Sequence, residues 1–279
     1  LGDVYKRQNK VDIVVATPGR LLDFENRGYI TLRFIEIMVI DEADRMLDMG
    51  FIPDVRKIIY KLPVKEKRQT LLFSATFSDE VMRLASAWMV NPKKIDIQLS
   101  QVAVDSVEQI IYIVTDQQKF NLLKNIINKD KPSKIIIFTN RRDQAERLTN
   151  KLICNGLKSS MLSGAISQKK RLNILEDFRL SKIKILVATD VAGRGIHIDG
   201  ISHVINFNIP ENPEDYVHRI GRTGRAGAVG KSITFACEIE SFELPKIEKL
   251  LGKELKCSLP PNYLSVSYTH LRAHETSDY

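Results

Sequence analysis

The chain has little of what would mark a secreted, metal-bound or membrane-spanning protein. Its 279 residues include only three cysteines, Cys154, Cys237 and Cys257, which lie far apart with no pair at metal-ligand spacing. They read as reduced thiols rather than a disulfide framework. No apolar run reaches the roughly 18–20 residues that a membrane span requires, and no stretch resembles a secretory leader. No repeat with a period of about 20–50 residues is present, which sets aside solenoids and propellers. The GxGxxG fingerprint of dinucleotide-binding enzymes is also missing. What remains suits a cytoplasmic protein with no membrane attachment and about two domains of roughly 100–200 residues. Lysine and arginine total 42 against 34 aspartates and glutamates, a formal net charge of +8, and this balance favours a polyanionic partner such as nucleic acid.

Both ends read as foreign to the rest. Residues 1–8 carry no Met start, and residues 265–279 show neither periodicity nor a turn pattern that fits their neighbours, so both are set aside from fold reasoning. The expectation is that the natural chain begins before residue 9. Between the ends, short aliphatic runs alternate with longer amphipathic ones. Strands are expected at 11–16, 37–40, 70–73 and 94–97, then at 109–114, 134–138, 159–162, 183–188, 203–206 and 232–235. Helical patterns fall at 79–88, 119–128, 143–154, 169–179 and 241–250. Such alternation predicts an α/β protein of parallel sheets joined by crossovers. A break at 99–107 reads as a linker between two lobes, an incomplete one over 9–98 and a second over 108–264.

Five clusters carry chemistry. Asp41-Glu42-Ala43-Asp44 follows the aliphatic run 37–40, and ligands in open α/β sheets sit at the carboxyl ends of buried strands. Asp41 suits a Mg²⁺ bridging nucleotide phosphates and Glu42 suits orienting a hydrolytic water; the plainer alternative is that acids open a helix, whose first turn favours negative charge. Thr17-Pro18-Gly19-Arg20 reads either as a phosphate-backbone site of exposed amides and an arginine or as an ordinary strand-to-helix turn. Ser74-Ala75-Thr76 has hydroxyls that can bond the neighbouring strand's acids, or that can cap the helix starting at Asp79. The loop from Ala188 to Asp199 combines two glycines, an arginine and acids, and glycines let a backbone approach a ligand closely. Finally, His218, Arg219, Arg222 and Arg225 place four cationic groups within eight residues. Arg222 and Arg225, three apart, share a face on a helical turn and can fork onto one phosphate. An arginine so placed is worth about 10³–10⁵ in rate, or roughly 4–7 kcal/mol. The alternative is a solvated basic face.

Taken together, TPGR, DEAD, SAT, IIIFTN (135–140), QKKR (168–171), ATDVAGRG and YVHRIGRTGRAG stand in the order and approximate spacing of the DEAD-box RNA helicases, and residues 9–264 resemble that family. The stretch from GRGIHIDG to GRTGRAGA resembles its bacterial RhlB group most. The resemblance implies two RecA-like lobes with ATP and Mg²⁺ in the cleft and RNA across both. Asp41 would take the metal, Glu42 would activate water, and Asp44, Ser74 and Thr76 would couple hydrolysis to RNA release. Arg222 and Arg225 would reach the γ-phosphate, His218 would link to the first-lobe acids, and Gly195 would approach the phosphates through its backbone. Thr17, Pro18, Gly19, Arg20, Arg171 and Thr189 would grip the RNA backbone, with little sequence specificity and with the 2′-hydroxyl selecting RNA. For the RhlB group the resemblance also implies a role in RNA degradation and docking to RNase E in a degradosome.

Two departures qualify this. The family's GxxxxGK[ST] loop is not in the sequence. Gly230-Lys231-Ser232 imitates its end, but Arg225 stands five before Gly230 and the segment enters a strand, so it is a decoy. Without the lysine and amide nest the triphosphate is mostly unheld, and the expectation is negligible ATPase activity. Second, His197 stands where most of the family has Asp, next to the ribose. A neutral imidazole can accept a hydroxyl proton there, Asp199 can take over, or His197 is a plain surface residue. The competing reading of the whole chain is a non-catalytic RNA-binding or partner-docking module.

Overall fold

The computed structural model describes residues 11–48, 50–95, 107–164, 166–190, 198–224 and 230–264. The set-aside ends, nearly all of the expected linker, Gly195, His197 and Arg225 lie outside them. The chain divides into two compact units, one ending at Ile97 and one beginning at Gln98. Among the described residues no helix is long and apolar enough to cross a membrane.

The first unit runs α1 (Pro18–Asn26), β1 (Ile37–Ile40), α2 (Ala43–Asp48), α3 (Ile52–Lys61), β2 (Gln69–Leu72) and α4 (Asp79–Trp88). Strands β1 and β2 pair in parallel, Ile37 opposite Gln69 through Ile40 opposite Leu72. Apolar residues at helical spacing, Ile52, Val55 and Ile58 on α3 and Val81, Leu84 and Trp88 on α4, turn inward. Along β1 the side chains alternate: Met38 and Ile40 join this core, whereas Ile37 and Val39 stay more than half exposed. The continuous aliphatic run predicts a strand buried on both faces, and the structure covers one face only, because the helices pack on the side that Met38 and Ile40 face. A second expectation fails more plainly. Residues 11–16 form no strand and Val11, Ile13, Val14 and Val15 are exposed, because no described strand lies alongside to take their backbone hydrogen bonds. Lys94 and Ile95 are likewise outside any strand.

The second unit contains β3 (Val107–Ile113), α5 (Asp116–Asp130), β4 (Ile135–Phe138), α6 (Arg142–Cys154), β5 (Ser159–Leu162), α7 (Gln168–Arg179), β6 (Ile185–Ala188), β7 (His203–Asn206), α8 (Pro213–Ile220), β8 (Gly230–Ala236), α9 (Leu244–Leu251) and β9 (Cys257–Ser258). They make one seven-stranded sheet in the order β5-β6-β4-β7-β8-β3-β9, with every pair parallel. Here both faces are covered. On β4, Ile135 and Ile137 pack with α5 and α6, while Ile136 and Phe138 pack with Phe178 of α7 and with Leu186 and Val204. A fully buried residue of this kind contributes about 1.5–3 kcal/mol. The chain leaves β4 toward β5 at one edge and leaves β7 toward β8 on the other side. Their carboxyl ends therefore flank a topological switch point, where open α/β sheets bind ligands. Gly230, the decoy glycine, begins β8. A Cβ there would collide with Thr223 and with the Gly224 nitrogen, so the glycine serves close packing and not a phosphate loop.

Candidate functional site

In the first unit the acids leave the carboxyl end of β1. Phe73 N–H donates to Ile40 O at 2.8 Å and Ala43 N–H to Phe73 O at 3.0 Å, which brings the exits of β1 and β2 side by side. Asp44 then gathers the second exit. Its Oδ2 accepts from Thr76 N at 2.9 Å and from Thr76 Oγ1 at 3.3 Å, and its own N–H donates to Ser74 Oγ at 3.1 Å. Ser74 and Thr76 thus bond an acid of the neighbouring strand, and the cap of α4 is Ser78 instead, whose Oγ accepts from Val81 N. Asp44 also sits in the first turn of α2 and accepts from Arg45 N at 2.8 Å. The helix-opening role and the bridging role are therefore held by the same carboxylate.

Asp41 and Glu42 are exposed. Glu42 has φ of 52°, a left-handed conformation uncommon for a residue with a side chain. Its N–H donates to Asp41 Oδ1 at 2.9 Å, and its carboxylate pairs with Arg45 at 2.6 Å. An exposed carboxylate at a strand end is the hard oxygen donor that Mg²⁺ takes alongside substrate phosphates, so Asp41 fits that ion. At the other motif, Thr17 precedes α1 with an extended backbone, makes no side-chain capping bond and is exposed. Pro18 is buried at the first turn. An added Cβ at Gly19 would meet nothing within 4 Å, and Arg20 stacks 4.4 Å over Phe24 while pairing with Asp23.

In the second unit, a cavity of about 420 Å³ opens at the carboxyl ends of β4, β5, β6 and β7, lined among others by Asn140, Arg142, Ser163, Thr189 and Asp190. Its floor is held by Arg219, only 1% exposed. The guanidinium donates to both oxygens of Asp190 at 2.6 and 2.7 Å, to Asn208 O at 2.7 Å and to Asn140 Oδ1 at 2.8 Å. One arginine thereby ties together the exits of three strands. Arg222 falls in the turn that follows α8, its N–H donating to Arg219 O at 3.0 Å and its Nε to His218 O at 3.0 Å. His218 is half-buried, 3.9 Å from Asp215. Burial pushes the neighbouring Tyr216 phenol up to about 12, so it stays a neutral donor to Gln109 at 3.2 Å. Arg171 on α7 is half-buried, Thr189 is buried at the cavity, and Asp199 is exposed.

Sequence reasoning gave no role to Asn140, Asp190 or Arg219, although all three lie in quoted motifs. The signal for Arg219 was its position one residue before Ile220 on the apolar side of α8. Lys119 was missed too. It lies on the same face of α5 as Leu122, Leu123 and Ile126, is fully buried, and pairs with Glu240 at 2.8 Å.

With this geometry in hand, the comparisons with known proteins agree at both units. Residues 2–84 match the DEAD/DEAH box helicase domain and residues 118–227 match the helicase conserved C-terminal domain. The chain is 57% identical to an ATP-dependent RNA helicase RhlB of Pseudomonas putida, over 91% of the chain and 64% of that relative. It is 40% identical to the RhlB of Actinobacillus succinogenes, over all of the chain and 71% of that relative. It thus spans about two-thirds of the length of such proteins. Among solved structures it is similar to S. cerevisiae Dbp5 bound to RNA and ADP BeF3, with a TM-score of 0.81 and 33% identity over 91% of this chain and 66% of that one. A DEAD box protein from Methanococcus jannaschii matches with a TM-score of 0.54 and 36% identity, over 91% and 69% of the two chains.

Proposed function

The chain belongs to the DEAD-box RNA helicase family, in its RhlB group, and from that premise we propose that it carries the hydrolytic acids and the RNA-gripping lobe of an ATP-dependent RNA helicase. The observation that carries this reading is the bridge from Asp44 to Ser74 and Thr76. It joins the exits of β1 and β2, so a change at the acids is felt at once by the neighbouring strand. Mg²⁺, when bound, would neutralise charge on the nucleotide phosphates. Asp41 would hold it, Glu42 would orient the attacking water, and Arg222 with Arg225 would offset charge on the γ-phosphate, with His218 beside them and Gly195 giving its backbone. Thr17, Gly19 and Arg20 on the first unit, and Arg171 and Thr189 on the second, would hold RNA phosphates. Contacts to the backbone carry no base information, which suits a helicase of little sequence specificity. A cytoplasmic site of action, RNA turnover and docking to RNase E extend the same reading.

The sequence holds no GxxxxGK[ST], so this 279-residue chain by itself should bind RNA and hydrolyse no ATP. The test is paired. Anisotropy with a labelled single-stranded RNA and the equivalent DNA should show preference for RNA, and phosphate release with ATP and RNA should stay at background. RNA-stimulated hydrolysis would overturn the silent-acid part, and equal affinity for DNA would overturn RNA as the substrate. Pull-down of purified RNase E by the chain tests the docking extension, and no capture sinks it.

A further inference from the structure

A buried ion pair lies beside the second-unit cavity but touches nothing in it. Lys119, fully buried in the first turn of α5, donates to Glu240 Oε2 at 2.8 Å. Glu240, in the turn after β8, uses both carboxylate oxygens on one dipeptide. Oε1 accepts from Asn208 Nδ2 at 2.6 Å and Oε2 from Ile209 N–H at 3.3 Å. The opposite side of the same dipeptide faces the cavity floor, where Asn208 O accepts from Arg219 and Ile209 O accepts from Asn140 Nδ2 at 2.8 Å.

We propose that Glu240, its charge compensated by Lys119, is a positioning residue for the cavity floor, acting through the Asn208–Ile209 peptide on Arg219. The Asn208 carbonyl and the Ile209 N–H belong to one planar peptide group and point in opposite directions. Fixing the N–H on Glu240 therefore fixes where the carbonyl meets Arg219, and Arg219 in turn sets Asn140 and Asp190, which line the cavity. Stability alone does not explain the pair, since a buried ion pair is often no more stabilising than apolar residues of the same volume. Its distinctive property is geometric: two oxygens at a fixed spacing that hold two donors of adjacent residues. The inference rests on the reading of Thr189, which lines this cavity, as an RNA-backbone contact.

Two variants of the full 279-residue chain separate position from charge. Glu240→Asp keeps the charge that compensates Lys119 but is one methylene too short to hold both donors. Lys119→Met combined with Glu240→Gln removes both charges and keeps the reach. A glutamine there can pair with the Asn208 amide, whose Oδ1 is buried with no partner among the described residues. Two readouts are taken on folded protein, checked by far-UV circular dichroism. One is affinity for a labelled single-stranded decauridylate. The other is solvent exchange of the Arg219 Nε–H by NMR, assigned from its loss in Arg219→Lys. The expected result is that Glu240→Asp weakens RNA binding about tenfold and speeds the Arg219 exchange, while the uncharged double variant stays within about twofold of the parent in both. The reverse ranking, with Glu240→Asp like the parent and the double variant impaired, would overturn the proposal, as would two variants both like the parent. If the parent chain binds no RNA, the functional reading fails, and the Arg219 exchange alone still decides the inference. If only one variant folds, its own readouts decide: a weakened Glu240→Asp or a parent-like double variant supports positioning, and a parent-like Glu240→Asp or an impaired double variant overturns it.

Discussion

Replacing Arg219 with methionine tests whether the second unit is built around its buried guanidinium. Methionine keeps most of the aliphatic volume, so the loss is electrostatic. Removing one partner of a buried ion pair costs about 3–5 kcal/mol. Asp190 keeps 21% side-chain exposure, so water relieves part of its stranded charge and the lower figure of about 3 kcal/mol applies. Asn208 O loses its donor, which adds about 1 kcal/mol. Loss of the cation 5.4 Å from the Phe138 ring adds at most about 0.5 kcal/mol. The sum is about 4 kcal/mol in a domain whose whole stability is of order 5–15 kcal/mol, or a fall in Tm of roughly 8–16 °C for this size. Urea unfolding followed by far-UV circular dichroism measures it. The single tryptophan, Trp88, lies in α4 of the first unit, and its fluorescence provides the internal reference. Adding Asp190→Asn should recover about half the loss by removing the stranded carboxylate. A loss below about 1 kcal/mol, or a double variant no more stable than Arg219→Met, would refute the assignment of Arg219 as the organising group.

Four further outcomes are expected. Asp44→Ala should destabilise the first unit by about 2 kcal/mol, since a carboxylate accepting from Thr76 and Arg45 is lost. Ser74→Ala should cost about 1 kcal/mol by leaving the Asp44 N–H unpaired; Trp88 fluorescence in urea reads both. His203, with Asp130, Lys231, Glu108 and Ser202 around it, has its pKa lowered, chiefly by burial and also by Lys231, against the raising effect of Asp130 and Glu108. The unfolded chain then binds the proton more readily than the folded one. Stability of the second unit should therefore be flat above about pH 6.5 and fall as pH drops below it, and His203→Gln should reduce that slope in a urea series against pH. Arg20→Ala should weaken RNA binding uniformly across sequences and lower the slope of log affinity against log salt by about 0.7, the value for one single-strand phosphate contact. An unchanged slope in a salt titration would remove Arg20 from the RNA interface.

The sequence reveals strands best where burial is two-sided. On β4 and β6 every residue is buried, and an uninterrupted aliphatic run is the direct trace of that environment. Residues 11–16 have a similar run and no strand, because hydrogen bonding to a neighbour makes a strand and composition only permits one. Along β1 the same pattern meets cover on one side only. For the site, the motifs reveal which groups are present and not which of them meet. Arg219, Arg222 and His218 look alike in the sequence, and only the fold buries the first against Asp190, 29 residues away, and Asn140, 79 away. Lys119 was in principle readable as a lysine on an apolar helix face. Its partner Glu240 lies 121 residues on, in a turn with no pattern of its own.

The two units use the same arrangement with different strength. In each, an acid leaving the carboxyl end of one strand collects donors from another element: Asp44 from Thr76 at the neighbouring strand exit, with Ser74 bonded to its amide, and Asp190 from Arg219 on α8. The partners in the first unit are a neutral hydroxyl and a backbone amide near water, each worth about 1 kcal/mol net to a few kcal/mol for the charged acceptor. The partner in the second is a permanently charged group with almost no exposure, costly to release. The first junction is therefore the weaker of the two, and the second is a fixed frame. The backbone agrees with this division. Glu42 sits in a left-handed conformation, a strain of order 1–3 kcal/mol that persists only while its surroundings hold it. Those surroundings are the Asp41 carboxylate on its amide and Arg45 on its side chain. A cation held at Asp41, as proposed, would compete for the first of these restraints. The acid expected to orient water is thus held by contacts that ligand binding itself would alter, while the arginine turn of the second unit stays anchored through Arg219.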